Sequence, residues 1–381
     1  DGYFIESGWA SVGNEVEVPG LDSLWQVKGN RVLNEKNDVV LEWNNGKGLI
    51  FKKIIKLDEK YLFKIRQEVK NNTSSKINLY PYSQITRNKK PDDVMGFYIL
   101  HEGFIGVFDG ELKEDDYDDI KDKKIVRNSD NGWLGITDKY WVTAIVPPKD
   151  KNFKSTFLYK DNYRANYILN SPVTINPKST SSNEVRLFVA AKEVETVDGY
   201  AESENIEKFD LTIDWGWFYF FTKPLFFVID YLFKFSGNFG IAIVLITLAI
   251  RIIFFPLANY SFRSMAKMKA VQPEMTRLKE LHKDDKVKLQ QEMMALYRKE
   301  KINPASGCLP ILIQIPFFFA IYKMLFISLE MRHQPFFGWI QDLSAKDPTS
   351  IFNLFGLIPW DPPGFLIIGI WPILMGLSMY V

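Results

Sequence analysis

The 381-residue chain carries 47 Lys and Arg against 46 Asp and Glu, so its net charge of +1 says nothing about nucleic acid, and no specific nucleic-acid partner is expected. Its single cysteine, Cys308, excludes an intrachain disulfide or a cysteine metal cluster, and three scattered histidines leave little for metal chemistry. No cofactor is therefore expected. Residues 1–208 are polar and charged, whereas 209–260 and 305–381 are rich in Phe, Ile, Leu and Trp, which predicts a polar domain joined to a membrane part.

Residues 1 to about 208 are predicted to form a β-sandwich. Leu49–Leu57 and Tyr61–Val69 are rich in β-branched and aromatic residues, and Phe63 and Ile65 alternate with charged neighbours in the second stretch. Further short strands are predicted at 77–87, 96–100, 140–146, 156–159 and 185–189. Many short strands without a long helical pattern are typical of an antiparallel sandwich.

A carbohydrate-binding enzyme of the cell envelope is one alternative for this domain, because some sandwiches process sugars. His101 and Glu102 could then form an acid/base pair. The domain contains no second histidine and no other catalytic pattern, so a structural role for His101 is favoured.

Residues 209–236 are predicted to form an amphipathic helix in the membrane interface. A charged connector, Glu202–Asp210, leads into the aromatic stretch Trp215–Phe235, which three charged residues and Pro224 interrupt. Trp and Tyr rings prefer the interface between lipid and water. A first spanning helix is less favoured, because Lys223 and Pro224 would then lie in the middle of the bilayer.

The stretch 238–259 is predicted to span the membrane, since about 20 apolar residues cross the ~30 Å hydrocarbon core. Arg251 is the only charge between Phe239 and Ala258. A mid-helix arginine costs roughly 2.5–3.5 kcal/mol, so such residues usually face a bundle interior or a watery cavity. Arg251 could be an interface anchor or a buried ion-pair partner. A functional charge inside the membrane is the favoured interpretation.

Residues 261–303 are predicted to form a helical hairpin, with Asp284 or Asp285 capping its second helix. From Ser261 to Lys301 the chain has eleven Lys and Arg against six Asp and Glu, so the positive-inside rule predicts a cytoplasmic location. Its methionines could form the seam between the helices, or an adaptable basic surface for a variable partner. The residues proposed for that surface are Met265, Lys267, Met268, Lys269, Met293 and Met294.

Two further spans are predicted at 305–327 and 364–381. Gln314 in the first could bond a neighbouring helix or line the cavity of Arg251. The apolar face of the same span offers candidate client contacts, at Ile311, Ile315, Phe318 and Tyr322. The chain begins without methionine and stops inside an apolar run, so both ends are expected to be truncated.

Several segments resemble the YidC/Oxa/Alb family of membrane protein insertases. The resemblance rests on SMAKMKAVQPEM (Ser264–Met275), on Asp284–Pro316 and on Leu329–Pro348. The stretches GYFIESGWASVG (Gly2–Gly13) and GWLGITDKYWVTAIVP (Gly132–Pro147) resemble part of the large periplasmic domain of Gram-negative members.

The resemblance implies a periplasmic β-supersandwich at 1–208, then the interfacial helix, then an α-helical insertase core at 237–381 with its hairpin in the cytoplasm. Arg251 would lie in a hydrophilic groove open to cytoplasm and lipid, with Gln314 in the groove wall. Family members are multi-pass proteins of the bacterial inner membrane that insert and fold nascent membrane proteins, alone or with the Sec translocon. They have a span before the periplasmic domain, two spans after the position of Val381, and a basic tail that meets the ribosome. The stretch 353–371 is expanded relative to the family.

A non-enzymatic insertase and chaperone is therefore the favoured function. The sequence contains no GxxxxGK[ST] phosphate loop and no evident nucleophile–base pair. The alternative class is a transporter or channel that uses Arg251 as an intramembrane anion site. Such a protein should show internal repeats or paired broken helices, and the sequence shows neither.

Overall fold

The computed structural model describes residues 2–13, 16–92, 94, 100–283, 285–300, 309–345, 347, 349–360, 362–363 and 368–380, except for the side chains of residues 311, 355 and 356. The chain divides into two compact units, Asp1–Asp214 and Trp215–Val381. The first unit consists mainly of β-strands, and the second consists of α-helices and loops. The predicted combination of a β-sandwich and a helical part is confirmed.

Two antiparallel sheets form the first unit. The smaller has the order β1-β6-β13-β12-β9 with β14 beside β6, and the larger has the order β2-β3-β4-β5-β15-β11-β10-β7-β8. The strands are β1 (Tyr3–Ser11), β2 (Gln26–Lys28), β3 (Val39–Asn44), β4 (Leu49–Leu57), β5 (Leu62–Asn71), β6 (Ile77–Arg87), β7 (Gly103–Phe108), β8 (Glu111–Asp116), β9 (Ile125–Ser129), β10 (Gly132–Thr137), β11 (Trp141–Val146), β12 (Phe153–Lys160), β13 (Asn162–Leu169), β14 (Val173–Ile175) and β15 (Thr180–Ala191). Two helices, α1 (Tyr117–Asp122) and α2 (Val194–Ser203), complete the unit.

Most predicted strands coincide with strands of the structure. β4 and β6 have the predicted bounds, and the other predicted segments lie within or beside β5, β11, β12 and β15. The strand predicted at 96–100 lies outside the described residues except for Leu100, which is not in a strand. The alternating pattern of β5 places Val69 and Gln67 in the interior. Gln67 lies opposite Asn183 of β15.

Aromatic side chains fill the space between the sheets. Phe104 contacts Phe157 with ring centres 5.0 Å apart and Tyr117 at 5.9 Å, and Tyr117 contacts Tyr163 edge to face at 4.9 Å. A second cluster lies on the outer face of the larger sheet, where the fully buried Trp133 meets Phe209 at 5.5 Å. Burial of each such ring stabilises the fold by roughly 1.5–3 kcal/mol.

A buried ion pair connects the two sheets at one end of the sandwich. Arg87, at the end of β6, is only 7% exposed and donates hydrogen bonds to the Tyr117 hydroxyl at 2.8 Å and to the Asp138 carboxylate at 2.7 Å. Its guanidinium lies 5.3 Å from the centre of the Tyr3 ring. Asp138 directly follows β10 of the other sheet. Because a buried charge is costly when unpaired, this end of the sandwich depends on Asp138.

We expect Asp138→Ala to destabilise the β-domain by about 3 kcal/mol, because the guanidinium of Arg87 would remain buried without its carboxylate. The matched control is Asp38→Ala, which removes an exposed ion pair with Lys56 at 3.0 Å and should cost less than about 1 kcal/mol. The measurement is the urea midpoint of tryptophan fluorescence in the detergent-solubilised chain. Equal midpoints for the two variants would show that Arg87 does not need its partner.

The described residues of the second unit form six helices, and α3 packs against both α4 and α7. The helices are α3 (Tyr219–Ser236), α4 (Phe239–Ala270), α5 (Gln272–Leu281), α6 (Lys286–Lys299), α7 (Leu309–Ile327) and α8 (Ile370–Tyr380). Short 3₁₀ turns occur at Leu329–Met331 and Ile351–Gly356. Of the described residues, only α4 forms a helix long and apolar enough to cross a membrane. Shorter apolar stretches lie at Leu312–Ile327 and Ile370–Tyr380.

A tight junction joins α3 to α4. Gly237 ends α3 with a positive φ of 69°, a conformation that glycine adopts without strain, and Asn238 caps α4 by accepting a hydrogen bond from the Ile241 amide. The rings of Phe233 and Phe239 stack across the junction with centres 3.8 Å apart. The turn and the stacked rings together fix the start of α4.

The helix that carries Arg251 is longer than the predicted span. α4 continues beyond residue 259 to Ala270, because Met, Ala and Lys favour helix and residues 260–272 contain no Gly or Pro. Met265, Lys267, Met268 and Lys269 therefore lie on α4, and the hairpin that follows consists of α5 and α6.

The loop after α7 is organised by one carboxylate. Asp342 accepts hydrogen bonds from the Ser344 hydroxyl at 2.7 Å, from the Ser344 amide and from the His333 amide. These bonds lower the pKa of Asp342 to about 2, and the bond from the Ser344 hydroxyl has the largest effect. Asp342 therefore remains ionised at neutral pH and holds this loop in one conformation.

Candidate functional site

Arg251 lies on the exposed surface of α4. It makes no hydrogen bond or ion pair within the part of the chain that the structure describes. Its neighbours Ile252 and Ile253 are also exposed, at 72% and 71%. The result is a bare cation among apolar side chains on a helix that can cross a membrane. This geometry does not support the interpretation of Arg251 as a buried ion-pair partner.

Gln314 lies half-buried on α7, which contacts α4 beside the Arg251 segment. Phe254 of α4 and Phe317 of α7 meet edge to face with ring centres 5.0 Å apart. Arg251 precedes Phe254 by three residues, and Gln314 precedes Phe317 by three. Residues three apart share a helix face, so each polar side chain lies about one turn from the ring contact.

Several candidate client contacts are exposed on α7. Phe318 is 65% exposed, and Ile315 and Tyr322 are each 42% exposed. The side chain of Ile311 lies outside the described residues. Ile315, Phe318 and Tyr322 follow Gln314 along α7, so this helix presents apolar surface next to Gln314.

The methionines after Arg251 fall into two groups. The sulfur of Met275 of α5 lies 4.0 Å from the Tyr297 hydroxyl of α6, which fits the seam interpretation, and Met293 of α6 is half-buried. Met265 and Met294 are exposed, Lys267 and Lys269 are exposed, and Met268 is half-buried. The exposed group remains the candidate for an adaptable surface. Asp285, one of the two predicted caps, accepts from the Lys288 amide at 3.0 Å.

His101 and Glu102 point to different partners in the β-domain. The ring of His101 bonds the Phe104 carbonyl oxygen through Nε2 at 2.9 Å and lies 3.4 Å from the Asp116 carboxylate through Nδ1. Glu102 accepts a hydrogen bond from the Lys139 amide. Both ring nitrogens of His101 face protein groups, so the arrangement supports the structural role and not the acid/base pair.

The sequence did not identify the two phenylalanines through which the helices that carry Arg251 and Gln314 meet. Phe317 also contacts Phe221 of α3, with ring centres 4.6 Å apart, so one side chain touches both other helices of the cluster. The equal spacing of three residues from Arg251 to Phe254 and from Gln314 to Phe317 was the available signal. Among many apolar residues in each span, that spacing alone does not identify the contact.

Comparison with known proteins gives two family matches that together span almost the whole chain. The model of the YidC periplasmic domain matches residues 1–228, and the model described as the 60Kd inner membrane protein matches residues 231–381. A periplasmic domain followed by an inner-membrane part defines an envelope protein of the inner membrane, as predicted. The chain belongs to the YidC family of membrane protein insertases.

Two curated relatives illustrate the similarity. The membrane protein insertase YidC of Pelagibacter ubique is 57% identical over 381 residues, which is 100% of this chain and 68% of that protein. The YidC of Brucella suis is 48% identical, over 100% of this chain and 63% of that protein. A crystal structure of an active YidC insertase is 18% identical, covering 97% of this chain and 77% of that chain. Its TM-score of 0.33 is too low to support an argument.

We expect the β-domain to show no sugar turnover, because His101 and Glu102, the candidate acid/base pair, bond different protein atoms. His101→Ala should lower the stability of the domain by about 0.5–1.5 kcal/mol, since the Phe104 carbonyl loses its hydrogen-bond partner. The measurement is aldose interconversion by the whole chain, by His101→Ala and by Glu102→Gln. Turnover by the unchanged chain that disappears in both variants would establish the enzyme alternative.

Proposed function

We propose that the chain is part of a membrane protein insertase and chaperone, which inserts and folds nascent inner-membrane proteins through a hydrophilic groove containing Arg251 and Gln314. The observation that carries this proposal is the exposed guanidinium of Arg251, without a partner among the described residues, on a helix that can cross a membrane. The relatives that cover the full chain are named insertases. Their name also supports a function without catalysis.

The driving force for insertion is the free energy of transferring the inserted protein itself, here called the client, from water into lipid. Each Leu or Ile at the centre of a client helix gains on the order of a few tenths of a kcal/mol on entering lipid. The barrier is the transfer of the polar flank across the hydrocarbon. A groove that holds water and a cation shortens the apolar path, and the cation can hold acidic side chains of that flank.

The strength of that hold suits a reversible step. Two opposite charges 4 Å apart attract by roughly 4 kcal/mol at an effective dielectric of 20, and by about 1 kcal/mol in bulk water. A partly hydrated groove lies between these limits, so an acidic flank binds Arg251 and then leaves. Ile315, Phe318 and Tyr322 of α7 offer the client helix an apolar surface along which to enter lipid.

The other parts of the chain have separate roles in this proposal. Residues 1–208 form the periplasmic domain, 237–381 form the membrane core, and 261–303 form the cytoplasmic hairpin. Residues 209–236 include α3, which lies in the membrane interface. The outward aromatic side chains of α3 support this location, namely Phe220, Phe227, Tyr231 and Phe235. The proposed partners are nascent membrane proteins, the lipid bilayer, the ribosome and the Sec translocon.

We expect the hairpin and the loop after α7 to lie on opposite sides of the membrane. Cysteines at Lys267 and Lys286 should be protected from an impermeant thiol reagent in intact cells, because the positive-inside rule retains their segment in the cytoplasm. A cysteine at Ser344 should be labelled. The background carries Cys308→Ser, and permeabilised cells are the control for reactivity. Equal labelling of all three positions in intact cells would contradict the topology.

We expect Arg251 to act through its charge. Arg251→Lys retains the charge and should insert clients almost normally, whereas Arg251→Ala should fold but insert clients with acidic translocated tails poorly. The measurement is the insertion efficiency of a matched acidic and neutral client pair by both variants.

The stability of the two variants separates this role from a structural one. A buried ion-pair partner would leave an uncompensated charge and cost about 3–5 kcal/mol on removal, whereas an exposed cation can be removed with little loss. If both variants unfold and lose activity equally, Arg251 holds the fold together and the groove mechanism is wrong.

A further inference from the structure

Two prolines lie inside the helices that form the candidate groove. Pro256 lies in α4 and Pro316 lies in α7, and each helix continues through its proline. Proline has no N–H, so the carbonyl four residues earlier loses its helical hydrogen bond. The carbonyls released in this way belong to Ile252 and Leu312.

Both released carbonyls lie beside the polar side chains of the groove. Ile252 directly follows Arg251, and Leu312 is two residues before Gln314. The ring contact at 5.0 Å joins Phe254, two residues before Pro256, to Phe317, which directly follows Pro316. This contact therefore holds the two proline-containing turns next to each other.

The surroundings of these carbonyls offer few donors. Ile252 is 72% exposed and Leu312 is 60% exposed, so protein packing does not cover these positions. The turns 252–256 and 312–316 contain no Ser or Thr that could bond a released carbonyl, and Gln314 is their only side-chain donor. A carbonyl without a donor costs several kcal/mol in hydrocarbon, so helices with internal prolines need neighbouring polar groups or water at that point.

We propose that Pro256 and Pro316 make the helix backbone itself a binding site for water and for neutral hydrogen-bond donors in the groove. The site would accept hydrogen bonds from the N–H and O–H groups of a client's polar flank, which Arg251 cannot do because its guanidinium only donates. Water then remains in the groove when Arg251 is removed. This inference rests on the proposed groove and assigns to the prolines the part of its polarity that does not depend on charge.

The experiment measures water access in the whole chain without any client. A cysteine at Ile253, in the Cys308→Ser background, reports hydration through its rate of reaction with a maleimide, because apolar surroundings raise the thiol pKa and suppress the reactive thiolate. Pro256→Ala and Pro316→Ala each restore an N–H, and together they should slow the reaction several-fold. Arg251→Ala should slow it much less. Pro224→Ala in α3 is the matched control and should leave the rate unchanged.

Glycine variants separate the released carbonyl from the bend that proline imposes. Pro256→Gly also restores the N–H but leaves the helix free to bend, so it should slow the reaction as alanine does. Far-UV circular dichroism of every variant verifies that the helices still form. The proposal would be overturned if the maleimide reaction rate stayed unchanged in the variant that carries both Pro256→Ala and Pro316→Ala. It would also be overturned if Pro256→Ala slowed the reaction and Pro256→Gly did not.

The result is distinguishable from a failure of the proposed function. If the cysteine at Ile253 reacts slowly even with both prolines present, the groove is dry and both proposals fail. If it reacts fast with and without the prolines, the groove holds water for another reason and only this inference fails. Insertion of the neutral client should then show no dependence on Pro256 or Pro316.

Discussion

The scarcity of hydrogen-bonding partners inside the hydrocarbon core is the constraint on which the membrane unit depends. It requires every peptide group in a span to be satisfied within its helix or by a neighbouring polar group or water. α4 meets this requirement over most of its length and departs from it around Arg251, where a bare cation and an internal proline occur within six residues. Departures of this kind persist only where water or polar groups compensate, so the position of Arg251 marks the polar part of the unit.

Aromatic contacts determine how the helices meet at that point. Phe317 touches Phe254 of α4 and Phe221 of α3, so three helices converge on one ring. The β-domain uses many more buried rings, in clusters between and outside its sheets. The sandwich therefore spreads its stability over a large core, whereas the helix cluster around Arg251 depends on a few side chains and leaves much of its surface open.

Local patterns allowed much of the fold to be predicted. The content of β-branched and aromatic residues located β4, the alternation of apolar and charged residues located β5, and Asp285 is one of the two residues predicted to cap α6. The end of α4 was not predictable from hydropathy, because helix propensity continues after the apolar residues stop. The pairing of Arg87 with Asp138 and the meeting of Phe254 with Phe317 depend on which elements pack together. Arg251 was identifiable because a lone charge in a span is costly wherever the helix packs.

The length of α4 sets how far the hairpin reaches. At 1.5 Å per residue its 32 residues measure about 48 Å, against ~30 Å for the hydrocarbon core. About 12 residues therefore project beyond the hydrocarbon core as a stalk, and the helix ends at Val271, directly before α5. A segment hinged at the lipid surface would lie on the headgroups. Raised on this stalk, the hairpin begins about 18 Å beyond the hydrocarbon core, which is farther out than a headgroup layer of roughly 5–8 Å.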